Sequence, residues 1–151
     1  MQRTPSQPRP EMTDARKAGL LNIGEAAAAS GVSAKSIRHY EASGLMPAAK
    51  RTFANYRLYS QSDVHTLRFI KSARSLGFSI ADIGKLLQLW QNQQRSSGDV
   101  KKLALQQVAE LDERIREMQR MRDTLQQLAH SCHGDARPDC PILADLAGQC
   151  C

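Results

Sequence analysis

The residues best suited to chemistry are four cysteines, all between positions 132 and 151 of the 151-residue chain. Thiols can form disulfides, act as nucleophiles or redox pairs, or bind metal ions. The N-terminal residues include basic side chains, but no apolar segment of a secretion signal follows them. We therefore expect a reducing compartment, in which disulfides are rare. Metal binding or redox chemistry is the expected role of the thiols.

Cys132 and Cys140 are separated by seven residues that include a glycine and a proline. This spacing predicts a loop that brings two thiolates face to face. Two thiolates form the soft, low-coordination ligand set that suits Cu(I). A tetrahedral structural zinc site needs four ligands. Cys150 and Cys151 could complete such a set, so a zinc site remains an alternative.

The residues after Cys140 favour a monovalent ion. Pro141 follows it directly, and the sequence PILADLAG predicts a short helix that ends before Gly148. The positive end of the helix dipole would lie beside Cys140 and stabilise the net negative charge of a Cu(I) bis-thiolate. A divalent ion with two thiolates would be neutral and would gain less.

Two other classes of protein are alternatives: a thiol-redox sensor or thiol enzyme, and a regulator that binds small molecules. Cys132 and Cys140 could form a reversible disulfide in a thiol-redox sensor or thiol enzyme. No C-x-x-C motif and no nucleophile with an oriented base is present, so we predict that the chain is not an enzyme. A regulator that binds small molecules in an aromatic pocket is disfavoured by the low aromatic content and by the lack of an added C-terminal domain.

The charge of the chain is concentrated near its N-terminus. Residues 1–60 contain nine Lys and Arg against four Asp and Glu, whereas residues 61–151 contain twelve against eleven. This excess predicts a polyanionic partner for the first part of the chain. No apolar run reaches the length of about eighteen residues needed to span a membrane. We expect a cytoplasmic protein with no membrane partner.

Residues 22–45 have the layout of a helix-turn-helix. Asn22 can cap a first helix, Gly31 supplies the turn, and Ser33 can cap a second helix over residues 34–42. In a helix-turn-helix the second helix enters the major groove of DNA. An ordinary pair of helices with a solvated basic face is the alternative. The candidate DNA-contacting residues on the second helix are Lys35, Ser36, Arg38, His39 and Tyr40.

The next segment predicts a two-stranded wing with a turn at Ala54 and Asn55. Basic residues alternate here with aromatic residues, a combination suited to phosphate and sugar contacts that fix the register on DNA. Tyr59 could belong to the core instead. The candidate DNA-contacting residues in the wing are Arg51, Asn55, Tyr56 and Arg57.

Three more helices are predicted. Ser62 can cap the first, which ends at Gly77, and Ser79 with Asp82 can form a capping box for the second. The third, from Ser97 or Asp99 to Ala129, has apolar residues spaced by three and four, which is the pattern of a coiled-coil seam. It is too long to bury this stripe against a small domain, so a second copy of the chain is the expected partner. A helix that folds back on its own N-terminal domain is the alternative.

The sequence therefore predicts a mainly α-helical protein with four segments. These are a disordered tail over residues 1–20, a winged helix-turn-helix domain over 21–92, a dimerisation helix over 96–130, and a metal-binding loop with a short helix and a Cys-Cys tail over 131–151.

Two long segments carry a resemblance to a known family. They are IGEAAAASGVSAKSIRHYEASGLMPAAKR and NYRLYSQSDVHTLRFIKSARSLGFSIADIGKLL, followed by a long helix and a cysteine loop. Together they resemble the MerR family of metal- and stress-responsive transcription regulators. The loop CHGDARPDCPI with its terminal Cys-Cys pair is similar to the CueR-like branch of copper efflux regulators. Two departures are ANYR in the wing, where such wings more often read Asn-Gly-Tyr-Arg, and His133, which could add a nitrogen ligand.

The resemblance implies a homodimer joined by an antiparallel coiled coil and bound to double-stranded operator DNA. Metal binding would distort the DNA so that RNA polymerase reads promoters of copper export and detoxification genes. In this branch a serine at the start of the long helix, here Ser97, accompanies selectivity for Cu(I), Ag(I) or Au(I). Cys150 and Cys151 would be a dispensable tail.

Overall fold

The computed structural model describes residues 9–132, 134 and 140–148. The chain divides into two units whose boundary lies between Val100 and Lys101. The predictions for His133, Cys150 and Cys151 lie outside the described residues, as do those for residues 1–8. The elements in chain order are α1 (Met12–Lys17), α2 (Ile23–Ser30), α3 (Ala34–Ala42), β1 (Lys50–Arg51), β2 (Arg57–Leu58), α4 (Gln61–Ser75), α5 (Ile80–Gln91), α6 (Ser97–Ser131) and α7 (Pro141–Leu146).

The helix-turn-helix pair forms as the sequence predicts. The Asn22 side chain caps α2 by accepting a hydrogen bond from the backbone N–H of Glu25, whose carboxylate accepts one from the Asn22 N–H in return. Gly31 ends α2 with a φ of 72°, a left-handed conformation that glycine adopts without steric cost. Ser33 caps α3. The two caps and the glycine turn thus form the predicted sequence of helix, turn and helix.

The N-terminal segment differs from the disordered tail predicted over residues 1–20. Residues 12–17 form α1, and Ala15 is 1% exposed. The backbone of Leu21 pairs with that of Tyr59 through hydrogen bonds of 2.8 Å in both directions. Composition suggested disorder because this segment is rich in polar residues. The buried methyl group of Ala15 and the backbone pairing of Leu21 with Tyr59 are the contacts that hold this segment to the rest of the domain.

Helix α4 begins two residues earlier than predicted. Its N-cap is Ser60, whose hydroxyl accepts from the backbone N–H of Asp63 at 3.1 Å, while the Asp63 carboxylate accepts from the Ser60 N–H at 2.8 Å. Ser62 lies inside the helix, so the prediction that it is the cap is wrong. The reciprocal pair at residues 60 and 63 outcompetes a lone serine because it satisfies two backbone donors at once.

Helix α5 packs against α4. The Ser79 hydroxyl accepts from the backbone N–H of Asp82 at 3.1 Å, as predicted, whereas the Asp82 carboxylate pairs with Lys85 at 3.5 Å. Near the other end of α5, Trp90 stacks on Phe69 of α4, with ring centroids 4.7 Å apart and planes 8° apart. Trp90 remains partly exposed. The aromatic stack thus joins the two helices at the edge of the first unit's core.

The core of the first unit is aliphatic and joins α2, α3, α4 and α5. Ile37, Leu67, Ile70 and Ile83 are fully buried. Burial of one such side chain contributes about 1.5–3 kcal/mol. Tyr59 is also in this cluster, which settles its placement in the core rather than on the surface. The core fixes α3 and the wing on the same small framework.

Helix α6 begins at Ser97, one of the two predicted start positions, and continues to Ser131 for 35 residues. In α7, Pro141 occupies the first helical turn and Gly148 follows the helix with a φ of 71°. Among the described residues, no helix combines the length and the hydropathy needed to cross a lipid bilayer. Large apolar side chains along α6 remain exposed: Leu105, Val108, Leu111, Ile115, Met118, Met121 and Leu125.

Candidate nucleic-acid interface and metal-binding loop

Helix α3 presents three of its five candidate DNA-contacting residues to solvent. Lys35, Arg38 and His39 are exposed, while Ile37 on the opposite side of the helix is fully buried. Neither Lys35 nor Arg38 forms an ion pair with any other residue that the structure describes. Their charges are therefore available to an external polyanion.

Ser36 and Tyr40 are only half-exposed and have roles within the protein. The hydroxyl of Ser33 accepts from the Ser36 N–H at 3.1 Å and donates to the Ser36 hydroxyl at 2.9 Å. The Tyr40 side chain packs against the core cluster, and its carbonyl accepts from the backbone N–H groups of Leu45 and Met46. Both side chains stabilise α3, and their contact with DNA stays a prediction.

Glu41 ties α3 to the wing. One carboxylate oxygen accepts from Arg57 Nε at 3.1 Å, and the other accepts from the Tyr59 hydroxyl at 2.5 Å. The Glu41 side chain is 10% exposed and that of Arg57 is 29% exposed. Arg57 is thus held by an internal carboxylate, and its first role is to position β2. The sequence predicted a DNA contact for Arg57 and gave no signal for Glu41.

The pKa of the Tyr59 phenol is raised in the folded protein. Burial raises its pKa well above the ordinary value, and the hydrogen bond to Glu41 and the charge of that carboxylate raise the pKa further. The phenol therefore stays protonated and keeps donating to Glu41 at neutral pH. This hydrogen bond is a lasting part of the contact between α3 and β2.

The tip of the wing is shaped by a compact turn. Lys50 pairs with Leu58 and Arg51 with Arg57 across the two strands. Thr52 is buried, and its hydroxyl accepts from the Tyr56 N–H at 3.0 Å.

Asn55 completes this turn with a φ of 70°, the left-handed conformation that its short polar side chain tolerates. Its carbonyl accepts from Arg51 Nη1 at 3.0 Å. The departure from Asn-Gly in this wing therefore leaves the turn intact. Tyr56 and Phe53 remain exposed at the tip.

Two cations of α4 contact the end of α2, which the sequence analysis did not predict. Arg68 donates to the carbonyl of Ala29 through Nε at 3.2 Å and through Nη2 at 2.8 Å. The ammonium group of Lys71 lies beside Gly31. Cations stabilise the C-terminal end of a helix because carbonyl oxygens there carry partial negative charge. The sequence showed the positive charges of α4 but gave no signal for these distant partners.

The two candidate metal ligands lie at the two ends of the cysteine loop. Cys132 directly follows α6, and its N–H donates to the Ala129 carbonyl at 3.2 Å. Cys140 directly precedes α7, and its carbonyl accepts from the Ala144 N–H at 3.0 Å. Both are free thiols of intermediate exposure. Both cysteines therefore lie next to a helix. Residues 133 and 135–139 of the loop between them lie outside the described residues, so its bringing the two thiolates face to face stays a prediction.

Within residues 9–132, 134 and 140–148, no group of three or more His, Cys, Asp or Glu side chains is arranged so that it could hold a metal ion. A pair of soft thiolates fits a monovalent soft ion by ligand type and number. Ser97 is exposed and is the first residue of α6. The cap-like hydrogen bond belongs instead to Ser96, whose hydroxyl accepts from the Gly98 N–H at 3.0 Å. The role of Ser97 in metal selectivity stays a prediction.

Comparison with known families gives two overlapping matches. Residues 21–90 match the model described as MerR HTH family regulatory protein. Residues 64–128 match the model described as MerR, DNA binding. These spans cover the helix-turn-helix, the wing and most of α6, and they begin after α1.

Individual relatives extend the match over most of the chain. The heavy metal-dependent transcription regulator 2 of Rhizobium meliloti is 54% identical over 127 residues, which cover 84% of this chain and 86% of that protein. The regulator CueR of Salmonella typhimurium is 42% identical over 130 residues, 86% of this chain and 94% of that protein. Among solved structures, the regulator PbrR691 of Ralstonia metallidurans in complex with lead(II) superposes with a TM-score of 0.71 at 28% identity, covering 83% of this chain and 98% of that one.

Proposed function

Since this chain belongs to the MerR family of helix-turn-helix regulators and is a metal-responsive regulator of transcription, we propose that its inducing ion is Cu(I), bound by Cys132 and Cys140. With this ion bound, the regulator would activate transcription of genes for copper export and detoxification. Ag(I) and Au(I) are expected to act at the same site, because they share the softness and charge of Cu(I). The observation that carries this proposal is the pair of free thiols anchored at the ends of α6 and α7.

The charge of the site supports a monovalent ion. Two thiolates with Cu(I) carry one net negative charge, and α7 begins directly after Cys140, so that the positive end of its helix dipole lies next to this residue. Ser97 contributes no anionic ligand, whereas a cysteine at that position would supply a third thiolate. Zn(II), which favours four ligands, is the less suitable ion for this set. Loading the site requires both thiols to be deprotonated, so binding releases protons.

The regulator is proposed to act as a homodimer in the cytoplasm. The exposed apolar stripe of α6, from Leu105 to Leu125, has the spacing of a coiled-coil seam, and an antiparallel pairing with a second copy would cover it. Such a dimer would present two copies of α3 to a two-fold operator. The ion would bias a two-state equilibrium of the dimer on DNA, by binding one state more tightly, so that RNA polymerase can use the promoter.

In-vitro transcription from the cognate promoter tests this function. The full-length regulator is assayed with RNA polymerase and Cu(I), Ag(I), Zn(II) or Hg(II) under anaerobic, reducing conditions. We expect activation by Cu(I) and Ag(I) only. Cys132→Ser and Cys140→Ser should each abolish activation and leave operator binding nearly intact. The double variant Cys150→Ser, Cys151→Ser is the matched control and should respond as the wild type does.

A response to copper that depends on the Cys150 and Cys151 pair, and not on Cys132 and Cys140, would contradict the assigned site. A zinc-binding regulator of the same family would instead respond to Zn(II) in this panel. Activation by peroxide without any metal, lost in Cys132→Ser, would support the alternative of a reversible Cys132–Cys140 disulfide.

A further inference from the structure

We propose that residues 9–20, here termed the N-terminal arm, extend the DNA-binding surface, with Arg9 contacting a phosphate of the operator beside the tip of the wing. The proposal rests on the DNA-binding function of the regulator. It concerns a segment that precedes the matched family span, which begins at residue 21. The arm is thus an addition to the helix-turn-helix and wing.

The arm contacts the tip of the wing at its first described residues. The Phe53 N–H donates to the Pro10 carbonyl at 3.0 Å. Arg9 Nη1 donates to Oδ1 of Asn55 at 3.5 Å. The side chains of Met12 and Tyr56 line the shallow depression between the arm and the wing. These contacts place the guanidinium of Arg9 at the turn that the sequence analysis assigned to the DNA surface.

The rest of the arm is anchored to the first unit. Ala15 is 1% exposed, and its carbonyl accepts from the Leu20 N–H at 2.9 Å. Leu21 then pairs with Tyr59 beside the wing. Backbone hydrogen bonds to the wing region at Pro10 and Leu21 therefore hold the arm at both ends, and the backbone of Arg9 lies next to the wing.

A continuous set of contacts links Arg9 to α3. Asn55 contacts Arg9 through its side chain and Arg51 through its carbonyl. Arg51 pairs with Arg57 across the wing, and Arg57 binds Glu41 of α3. These contacts join the arm to the wing tip and the wing to α3, whose exposed residues belong to the candidate DNA surface. A cation added at the wing tip lengthens that surface beyond the wing.

The chemistry of Arg9 suits an external phosphate. Among the described residues, the Arg9 side chain donates to a neutral amide oxygen, that of Asn55, at the limit of hydrogen-bonding distance. No carboxylate pairs with Arg9 within the described part of the chain, whereas Arg16 on the same arm lies 3.8 Å from Glu25. A guanidinium with a free charge and planar donors binds phosphate oxygens well. Lys17, exposed on α1 and without a wing contact, provides a comparison within the same arm.

The experiment measures operator affinity as a function of salt concentration for full-length Arg9→Ala, Arg9→Lys and Lys17→Ala. Loss of one phosphate contact reduces the slope of log K against log salt by about 0.9. We expect this reduction in Arg9→Ala only. Arg9→Lys should keep the slope because it keeps the charge, and Lys17→Ala should behave as the wild type although it removes the same charge.

Equal effects of Arg9→Ala and Lys17→Ala would overturn the proposal, because they would report net charge and not position. A wild-type slope or a tighter complex in Arg9→Ala would overturn it as well, the latter by showing that the arm covers the surface. Arg38→Ala, measured in parallel, separates the arm from the general assignment. If Arg38→Ala weakens binding and Arg9→Ala does not, only the arm is refuted. If neither variant weakens binding, the DNA surface itself is assigned wrongly.

Discussion

Glu41 is the residue whose removal should most weaken the link between α3 and the wing. The substitution Glu41→Ala takes away the acceptor of both the Tyr59 hydroxyl and Arg57 Nε. The consequences differ, because the Tyr59 side chain is buried and the Arg57 side chain can reach solvent. The two partners therefore make unequal contributions to the expected loss of stability.

The magnitude follows from these two environments. A buried hydroxyl left without a partner costs about 1–3 kcal/mol. The ion pair of the partly exposed Arg57 contributes up to about 1 kcal/mol, since solvent screens it. We therefore expect Glu41→Ala to lower the free energy of unfolding by about 1–4 kcal/mol. Tyr59→Phe removes the donor and leaves Arg57 on Glu41, so its expected cost is smaller, about 1–2 kcal/mol.

Urea denaturation followed by circular dichroism measures these values, at one fixed protein concentration because association shifts apparent stability. Glu110→Ala is the matched control, since Glu110 is exposed on α6 and forms no ion pair within the described residues. It should stay within about 0.5 kcal/mol of the wild type. A double-mutant cycle of Glu41→Ala and Tyr59→Phe should give a coupling energy of about 1 kcal/mol or more.

The pH dependence provides a second measurement. The pKa of Tyr59 is raised in the folded state, so its contribution to stability is complete below the unfolded value of about 10 and is lost as pH rises through the folded value. Alkaline destabilisation should therefore be shallower in Tyr59→Phe. Additive single mutants, or a Glu41→Ala variant as stable as Glu110→Ala, would refute the role assigned to this carboxylate.

Three further predictions concern DNA, metal and assembly. Arg38→Ala should weaken operator binding and reduce the salt slope by about 0.9, measured by fluorescence anisotropy over a salt series; an unchanged slope would remove Arg38 from the phosphate contacts. Ser97→Cys, in a background without Cys150 and Cys151, should strengthen Zn(II) and Hg(II) binding in a competition assay, because a third thiolate becomes available; equal affinity would place residue 97 away from the ion. Ile115→Glu should shift the protein to monomer in analytical ultracentrifugation, since it puts a charge into the apolar stripe of α6; an unchanged dimer would exclude that stripe as the interface.

Local signals predicted the helices well. The caps at Asn22, Ser33 and Ser79 were correct because each acts within four residues of chain. The error at α4 arose between two serines two positions apart, and only the reciprocal partner Asp63 distinguishes Ser60 from Ser62. The position of a helix cap can therefore be predicted from the sequence when the capping residue and its partner three residues later are considered together.

The contacts that position the site were less predictable. Glu41 is 16 positions from Arg57 and 18 from Tyr59, and Arg68 is 39 positions from Ala29. No periodicity relates such residues, because their proximity depends on the packing of α3, β2 and α4 around the core. The same reason applies to the segment around α1, whose flanking residues Pro10 and Leu21 make backbone hydrogen bonds to Phe53 and Tyr59. The cysteine pair could be proposed from the sequence because ligand chemistry depends on residue type and on a short loop, and its metal binding stays a prediction.

The stacking of Trp90 on Phe69 allows the intrinsic fluorescence of the protein to report on the packing of α4 against α5. The chain contains a single tryptophan, so all indole emission arises from one site at the junction of α4 and α5. Partial exposure of that indole makes the wavelength of its emission sensitive to solvent access. Separation of α4 from α5 would expose both faces of the ring and shift the emission to the red. The docking of these two helices can therefore be followed in real time, without a label, while DNA or an ion is added.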